Sequence, residues 1–323
     1  MSVTNYNPNK CRYSVGRLKK VAYLFSESDT EIAIDNGVAS AFTFDGTFQH
    51  LSGSSITFNE STSYDDRYSF DKTFTITVDG YLRIEDLNKR YYIVLQDLDD
   101  NYWLVNYDFP AFVTYEYNLN EATNETVFTF KIQSNFPTLE LEINLAEDVS
   151  PCKQYDVKGI DSLKLLEAYN ALYSVSGRTV YVESGSTFKD VKFNEGTCSL
   201  KETFDGNYFT DEISFSIDMD FYKSSWHYNI CEYPLNRYMA LVDSKTDGEF
   251  LLGVDNGLVP GYSIQATTDG SDIITVTLSG TSTVGSLLAG YGEETADARW
   301  LIVDEDEEYV WKLSDEYVCQ ENS

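Results

Sequence analysis

Two stretches of this chain, RYYIVLQDLDDNYWLV (Arg90 to Val105) and RYMALVDSKTDGEFLL (Arg237 to Leu252), read as one β hairpin written twice. They align without gaps at an offset of 147 residues (90 to 237). Arg90 falls on Arg237, Tyr91 on Tyr238, Asp100 on Asp247, Leu104 on Leu251 and Asp108 on Asp255, and Trp103 meets Phe250, an aromatic for an aromatic. In both copies a polar turn, DLDDN or SKTDG, divides two apolar runs, because Asp, Asn and Gly adopt turn backbone that other residues resist. A hairpin recurring at this distance points to two similar β units of about 150 residues each.

Flanking blocks recur in the same order. FTFDGTFQHLSGSSITFNE (Phe42 to Glu60) parallels VKFNEGTCSLKETFDG (Val191 to Gly206), and SFDKTFTITVDG (Ser69 to Gly80) stands opposite FTDEISFSIDMD (Phe209 to Asp220). Downstream, ETVFTFKIQSN (Glu125 to Asn135) answers SDIITVTLSGT (Ser271 to Thr281). Four blocks in one order imply a tandem duplication, with one unit over residues 1–148 and the other over 149–323. A linker is expected near Pro151, which interrupts the strand pattern. Within the blocks the period is two. Phe74, Ile76 and Val78 alternate with Thr73, Thr75 and Thr77, and Ile213, Phe215, Ile217 and Met219 alternate with polar neighbours, marking strands with one buried face.

Many short strands between DGT, VDG, FDGN and TDG turns predict an all-β chain of two tandem β-sandwich units. One segment departs from that pattern. In GIDSLKLLEAYNALYSV (Gly159 to Val175), Leu163, Leu166, Tyr169 and Tyr173 stand three or four residues apart behind a cap at Asp161 or Ser162. That spacing predicts a short helix in the second unit. The corresponding SVGRLKKVAYLF of the first half fits either a shorter helix or a strand. At the other end, ARWLIVDEDEEYVWKL (Ala298 to Leu313) predicts a hairpin completing the second unit, in preference to a partial third copy.

Composition agrees with β structure and narrows the partners. Hydrophobic residues are 42% of the 323, enough for a core in each unit, and 25 Tyr and 19 Phe against 3 Met favour pleated surfaces. The formal charge is -30, from 53 acidic and 23 basic residues. Such a chain repels phosphates and is not expected to hold nucleic acid tightly, although DNA can pass it without adhering. MSVTNYNPNKCRYSVGRLKK lacks an apolar signal region, and no run approaches the ~20 apolar residues of a membrane span. Cys11, Cys152, Cys198, Cys231 and Cys319 are scattered with no CxxC pair, as expected of reduced, mostly buried thiols in a protein made in a cytoplasm.

Signatures of catalysis are missing from the sequence. His50 and His227 occupy no metal-binding spacing, and no GxSxG, Walker A or Rossmann glycine pattern occurs. The 53 acidic residues single out no carboxylate pair for glycoside hydrolysis. The DLDDN turn offers Asp97, Asp99 and Asn101 at alternate positions, and DEDEE offers Asp304, Asp306 and Glu308. Tyr102, however, stands where a calcium loop requires glycine. Tyr102, Trp103, Tyr107, Trp226 and Trp300 are the aromatics that could stack on a sugar, although Phe250 opposite Trp103 marks that position as core. The expectation is a chain without catalytic, cofactor-binding or metal-binding residues.

RYYIVLQDLDDNYWLV following a GT…F… strand pair resembles the tail and connector proteins of bacteriophages infecting Bacteroidetes, above all the tail ring proteins of crAss-like phages. The resemblance covers both halves, roughly residues 40–140 and 190–290. It implies a tail-tube-like β sandwich with a small helix on one side, and a non-enzymatic virion protein assembled in the host cytoplasm. It also implies a homo-oligomeric ring of about six or twelve copies between neighbouring portal and tail proteins, around a channel for genomic DNA. An acidic lumen lets DNA slide through such a ring. The other reading the sequence supports is a carbohydrate- or ligand-binding β-sandwich protein.

Overall fold

The computed structural model describes residues 2–3, 17–35, 38–44, 48–65, 67–82, 89–141, 159–167, 174–176, 179–182, 188–219, 236–246, 248–254, 256–266, 272–283, 287–289 and 301–304. The chain divides into two compact units, one of residues 1–117, 125–156 and 204–207 and the other of residues 118–124, 157–203 and 208–323. Both are built mainly from antiparallel sheets, and the chain is all-β. Among the described residues no helix is long and apolar enough to cross a membrane.

Unit 1 begins with β1 (Ser2–Val3), β2 (Leu18–Ser26), β3 (Thr30–Asp35), β4 (Val38–Phe44) and β5 (Gln49–Ser52). It continues with β6 (Ser55–Asp65), β7 (Arg67–Asp79), β8 (Arg90–Asp97) and β9 (Tyr102–Leu104), then β10 (Ala111–Leu119), β11 (Asn124–Ser134) and β12 (Leu139–Leu141). The turn 118–124 between β10 and β11 counts to unit 2. One sheet runs β12-β9-β8-β2-β5, a second runs β6-β7-β11-β10, and a small sheet runs β1-β4-β3. The start of β10 also pairs with the start of β8, Ala111 opposite Tyr91, and this links the first two sheets.

Strand β8 is buried from Ile93 to Asp97 without a break, because its sheet is covered on both faces. One face carries Phe25, Val94, Tyr102 and Leu104 into a cluster with Phe42, Tyr107 and Leu139, flanked by Phe44, Phe48 and Phe136. The opposite face carries Ala22, Leu24, Ile93 and Leu95, all fully enclosed. In the second sheet Phe74, Ile76, Val113, Tyr117, Phe128 and Phe130 form an equally closed face. Gly53, between β5 and β6, leaves no room for a side chain, since a Cβ there meets the Thr77 carbonyl at 2.5 Å.

Unit 2 contains β13 (Ile160–Glu167), β14 (Ser174–Ser176), β15 (Thr179–Val182), β16 (Lys189–Val191), β17 (Ser199–Phe204) and β18 (Phe209–Asp218). After these come β19 (Tyr238–Ser244), β20 (Glu249–Leu252), β21 (Val259–Gln265), β22 (Ile273–Ser282), β23 (Leu287–Ala289) and β24 (Leu301–Asp304). Its sheets run β16-β13-β19-β20-β23, β17-β18-β22-β21 and β14-β15-β24.

Where the described residues cover it, the helix expected over 159–175 is replaced by strand. Residues 160–167 are strand β13, which pairs with β16 on one side and β19 on the other. A strand in the middle of its sheet buries Leu163, Leu165 and Leu166 together, and the adjacent pair Leu165 and Leu166 breaks the alternation that would have marked it as β. Tyr169 and Tyr173 lie outside the described residues, as do the linker at Pro151 and the second strand of the C-terminal hairpin. Its first strand, β24, pairs in parallel with β15.

The two units share the strand order of their two larger sheets. The sheet β5-β2-β8-β9-β12 corresponds to β16-β13-β19-β20-β23, and β6-β7-β11-β10 to β17-β18-β22-β21. Registers agree as well. Leu95 pairs with Trp103 as Val242 pairs with Phe250, and Val94 with Leu104 as Leu241 with Leu251. Phe70 stands opposite Ser134 as Phe209 stands opposite Ser282.

Candidate functional site

The acidic hairpin tip between β8 and β9 folds around its first residue. Asp97 Oδ1 accepts the backbone N–H of Asp99 and of Asn101, each at 2.9 Å, and Oδ2 accepts from Asn101 Nδ2 at 3.0 Å and Trp103 Nε1 at 2.9 Å. Burial pushes the Asp97 carboxyl up, but the bonds from Asn101, Trp103 and the backbone outweigh it and hold the group below the usual carboxylate range. Its oxygens are therefore committed to protein donors, and Asp100 is engaged by Lys19 and by Gln96 Nε2 at 3.0 Å. Among the described residues no cluster of three His, Cys, Asp or Glu is placed to hold a metal ion.

Ser244 does the same work in the other copy, its Oγ accepting from Thr246 N at 3.4 Å and Gly248 N at 2.9 Å. Both are local turns in which a short polar side chain accepts backbone N–H groups. Asp97→Ala is expected to destabilise the protein by about 2 kcal/mol, through loss of charge-assisted hydrogen bonds. Asp97→Ser, copying the second hairpin, recovers most of that in a thermal melt. Equal losses in the two variants would refute the turn-organising role.

The aromatics that could stack on a sugar are enclosed. Tyr102, Trp103 and Tyr107 are 7%, 4% and 4% exposed, so none offers a ring face to a ligand. Trp226, Trp300 and His227 lie outside the described residues, as does DEDEE beyond Asp304. His50 stacks on Tyr23 with ring centroids 5.2 Å apart, and burial lowers its pKa. Cys198 is a free, buried thiol whose pKa burial pushes up to about 12, which leaves it protonated and unreactive.

Unit 1 also encloses a lysine that the sequence reading did not single out. Lys72 occupies an inward position of β7, two residues before Phe74, and is 1% exposed. Its Nζ donates to the Val105 carbonyl at 2.5 Å and lies 3.6 Å from Glu60 Oε2. Burial lowers its pKa to about 8, against the pull of Glu60 and Asp108. These carboxylates are tied to the same corner. Glu60 Oε2 accepts from Thr138 N at 3.0 Å and Thr138 Oγ1 at 2.6 Å, and Asp108 accepts from Ser134 Oγ at 2.6 Å and Asn135 N at 2.7 Å. Next to Val105, Asn106 bridges Ile93 N, the Tyr91 carbonyl and the Phe109 carbonyl. An amine with a depressed pKa is a common mark of a reactive site. Here it has no exposed surface for a substrate to reach, and its neighbours pin β6, β7, β9, β11 and β12 together. No protein family, curated protein or solved structure matches the chain.

The chemistry available to a partner is therefore on the surface, at strand edges. Strands β6 and β7 stay paired from Ser55 opposite Thr77 to Asp65 opposite Arg67, whereas β11 follows β7 only as far as Phe70. Beyond that point the pair projects as a two-stranded arm. Tyr64 and Tyr68 face each other on it, 69% and 65% exposed, with ring centroids 5.0 Å apart. No such arm forms between β17 and β18, because β17 ends at Phe204 and β18 begins at Phe209. A second exposed feature is β21, the last strand of its sheet, with Tyr262 55% and Ile264 53% exposed. Sequence signals for both exist only in outline. Alternation continues through SITFNESTSYDDRYSFDKTF for longer than one core layer needs, and VPGYSIQ carries apolar residues without a charge.

Proposed function

We propose that this chain is a structural virion protein of a bacteriophage tail or head-to-tail connector, which assembles as a homo-oligomeric ring around the DNA channel and performs no catalysis. The observation that carries this reading is the recurrence of one strand order and register in both units, with an open strand edge at β6 in the first and at β21 in the second. A ring of n such chains presents 2n similar units to its axis, and heterologous contacts of this kind close into rings. The charge of -30 fits a lumen that repels DNA phosphates and lets the genome slide. The engagement of Asp97 and the enclosure of Lys72 are consistent with residues that serve architecture. The sugar-binding alternative loses Tyr102, Trp103 and Tyr107, which are core.

Electron microscopy of the purified protein tests assembly. Closed rings of about six or twelve copies are expected. A chain that stays monomeric at high concentration overturns the ring. Proteomics of purified phage particles tests the setting, and absence of the chain from them overturns the virion assignment.

A further inference from the structure

We propose that the open edge of β21 in one molecule pairs with the open edge of β6 in a second copy of this chain, so that one sheet continues from molecule to molecule. The proposal deepens the self-assembly reading above and rests on it. Strand β21 pairs with β22 alone among the described strands and ends its sheet. Tyr262 stands opposite Val276, and Ile264 opposite Ile274. Directly opposed residues share a face of a sheet, and Val276 and Ile274 are 0% and 1% exposed. Tyr262 and Ile264 therefore point to the apolar side of their sheet while remaining more than half exposed. In unit 1 the strand in this place of the order is β10, which is not the end of its sheet order and whose Val113, Tyr115 and Tyr117 are all buried. Among the described strands β21 has a neighbour on one side only, and its apolar residues stay exposed.

Strand β6 is the complementary edge. Among the described strands it pairs with β7 alone, at the opposite end of the corresponding sheet order, and keeps register over all eleven residues without a bulge. Ile56 and Phe58 lie opposite Ile76 and Phe74, which are fully enclosed, but are themselves only half-buried. Natural edge strands are usually blunted by lysine, proline, bulges or brevity. From Ser55 to Asp65 there is neither Lys nor Pro, and in β21 the single proline, Pro260, is confined to its start.

Charge selects a copy of the chain as the occupant. A foreign partner recognised by a molecule of net charge -30 would be basic and would seek acidic surface, yet β21 carries no charged residue and Ser55–Tyr64 carries only Glu60. These are neutral strips on which two acidic molecules can approach with least repulsion. Joining β21 to β6 also extends the shared order in the same direction. It leaves one β6 and one β21 open at the ends of any chain of molecules, the condition for closing a ring.

Two variants with substitutions at exposed positions test this, Tyr262→Glu/Ile264→Glu to block β21 and Thr57→Glu/Asn59→Glu to block β6. Circular dichroism first checks that each keeps its β spectrum, and sedimentation velocity then reads size. The expected result is that wild type assembles, each variant alone sediments as a monomer, and an equal mixture forms dimers and stops there, since only one pair of edges remains open. Assembly of both variants like wild type overturns the edge pairing and leaves self-assembly standing. Dimers of the β6-blocked variant alone overturn it in favour of β21 pairing with β21. A monomeric wild type removes the self-assembly reading itself.

Discussion

Trp103→Ala is expected to destabilise unit 1 by about 4 kcal/mol, and Phe250→Ala to destabilise unit 2 by a similar amount. The two side chains hold one position in two copies of a hairpin. They are 4% and 0% exposed and stand opposite Leu95 and Val242 in matching registers. Truncating a large aromatic in such a place loses its burial and leaves a cavity that the paired strands cannot collapse into. The positions differ in one respect. Trp103 Nε1 donates to Asp97, whereas Phe250 carries no donor, and Ser244 has taken the place of Asp97. Trp103→Phe therefore keeps most of the apolar burial and loses a hydrogen bond to a charged group, a cost of about 2 kcal/mol. Urea unfolding, with hydrogen exchange at β8 and β19 to assign each loss to its unit, measures both. A cost below about 1 kcal/mol for either alanine variant would contradict the core assignment.

What the sequence disclosed and what it withheld follow from how local each feature is. The recurring hairpin was legible because a turn and its two flanking runs are contiguous, and Trp103 opposite Phe250 already indicated the core. Phe74, Ile76 and Val78 were legible as a buried face because β7 has one face inside and one outside, so the period of two survives. Strand β13 was not legible. It lies between two neighbours, and Leu163 with Leu166 imitates the spacing of a helix. Its counterpart β2 has the same place in its sheet, and there the strand alternative held.

The exposed edges were hidden for another reason. Nothing within VPGYSIQ or SITFNESTSYD states which of many strands will end a sheet, since that is decided by pairings far away in the chain. Lys72 was visible in principle. Its parity with Phe74 places it inward, but the carbonyl and carboxylates that receive it come from β6 and from the segment after β9.

Stability is expected to rise by about 3 kcal/mol between about pH 8 and pH 10.5 through Lys72 alone, the free energy of lowering the ammonium's pKa from 10.5 to about 8. The folded-state pKa is lowered from 10.5 to about 8 because burial disfavours the ammonium, and the attraction of Glu60 and Asp108 does not make up the difference. Below about pH 8 the amine is charged in both the folded and the unfolded chain, and the folded state bears the whole desolvation cost. Between the two values the folded protein has released its proton while the unfolded chain still holds one. Unfolding then takes up a proton, and raising the pH favours the folded state. Above 10.5 both forms are neutral and the gain levels off. Other groups titrate in this range, so the readout is the difference between wild type and Lys72→Met, followed by urea unfolding from pH 7 to pH 10.5. Methionine keeps the length of the side chain and removes the titration. The difference in stability should move in favour of wild type as the pH rises. A difference that stays flat would mean that Lys72 remains protonated in the folded protein, held by Glu60 strongly enough to offset its burial.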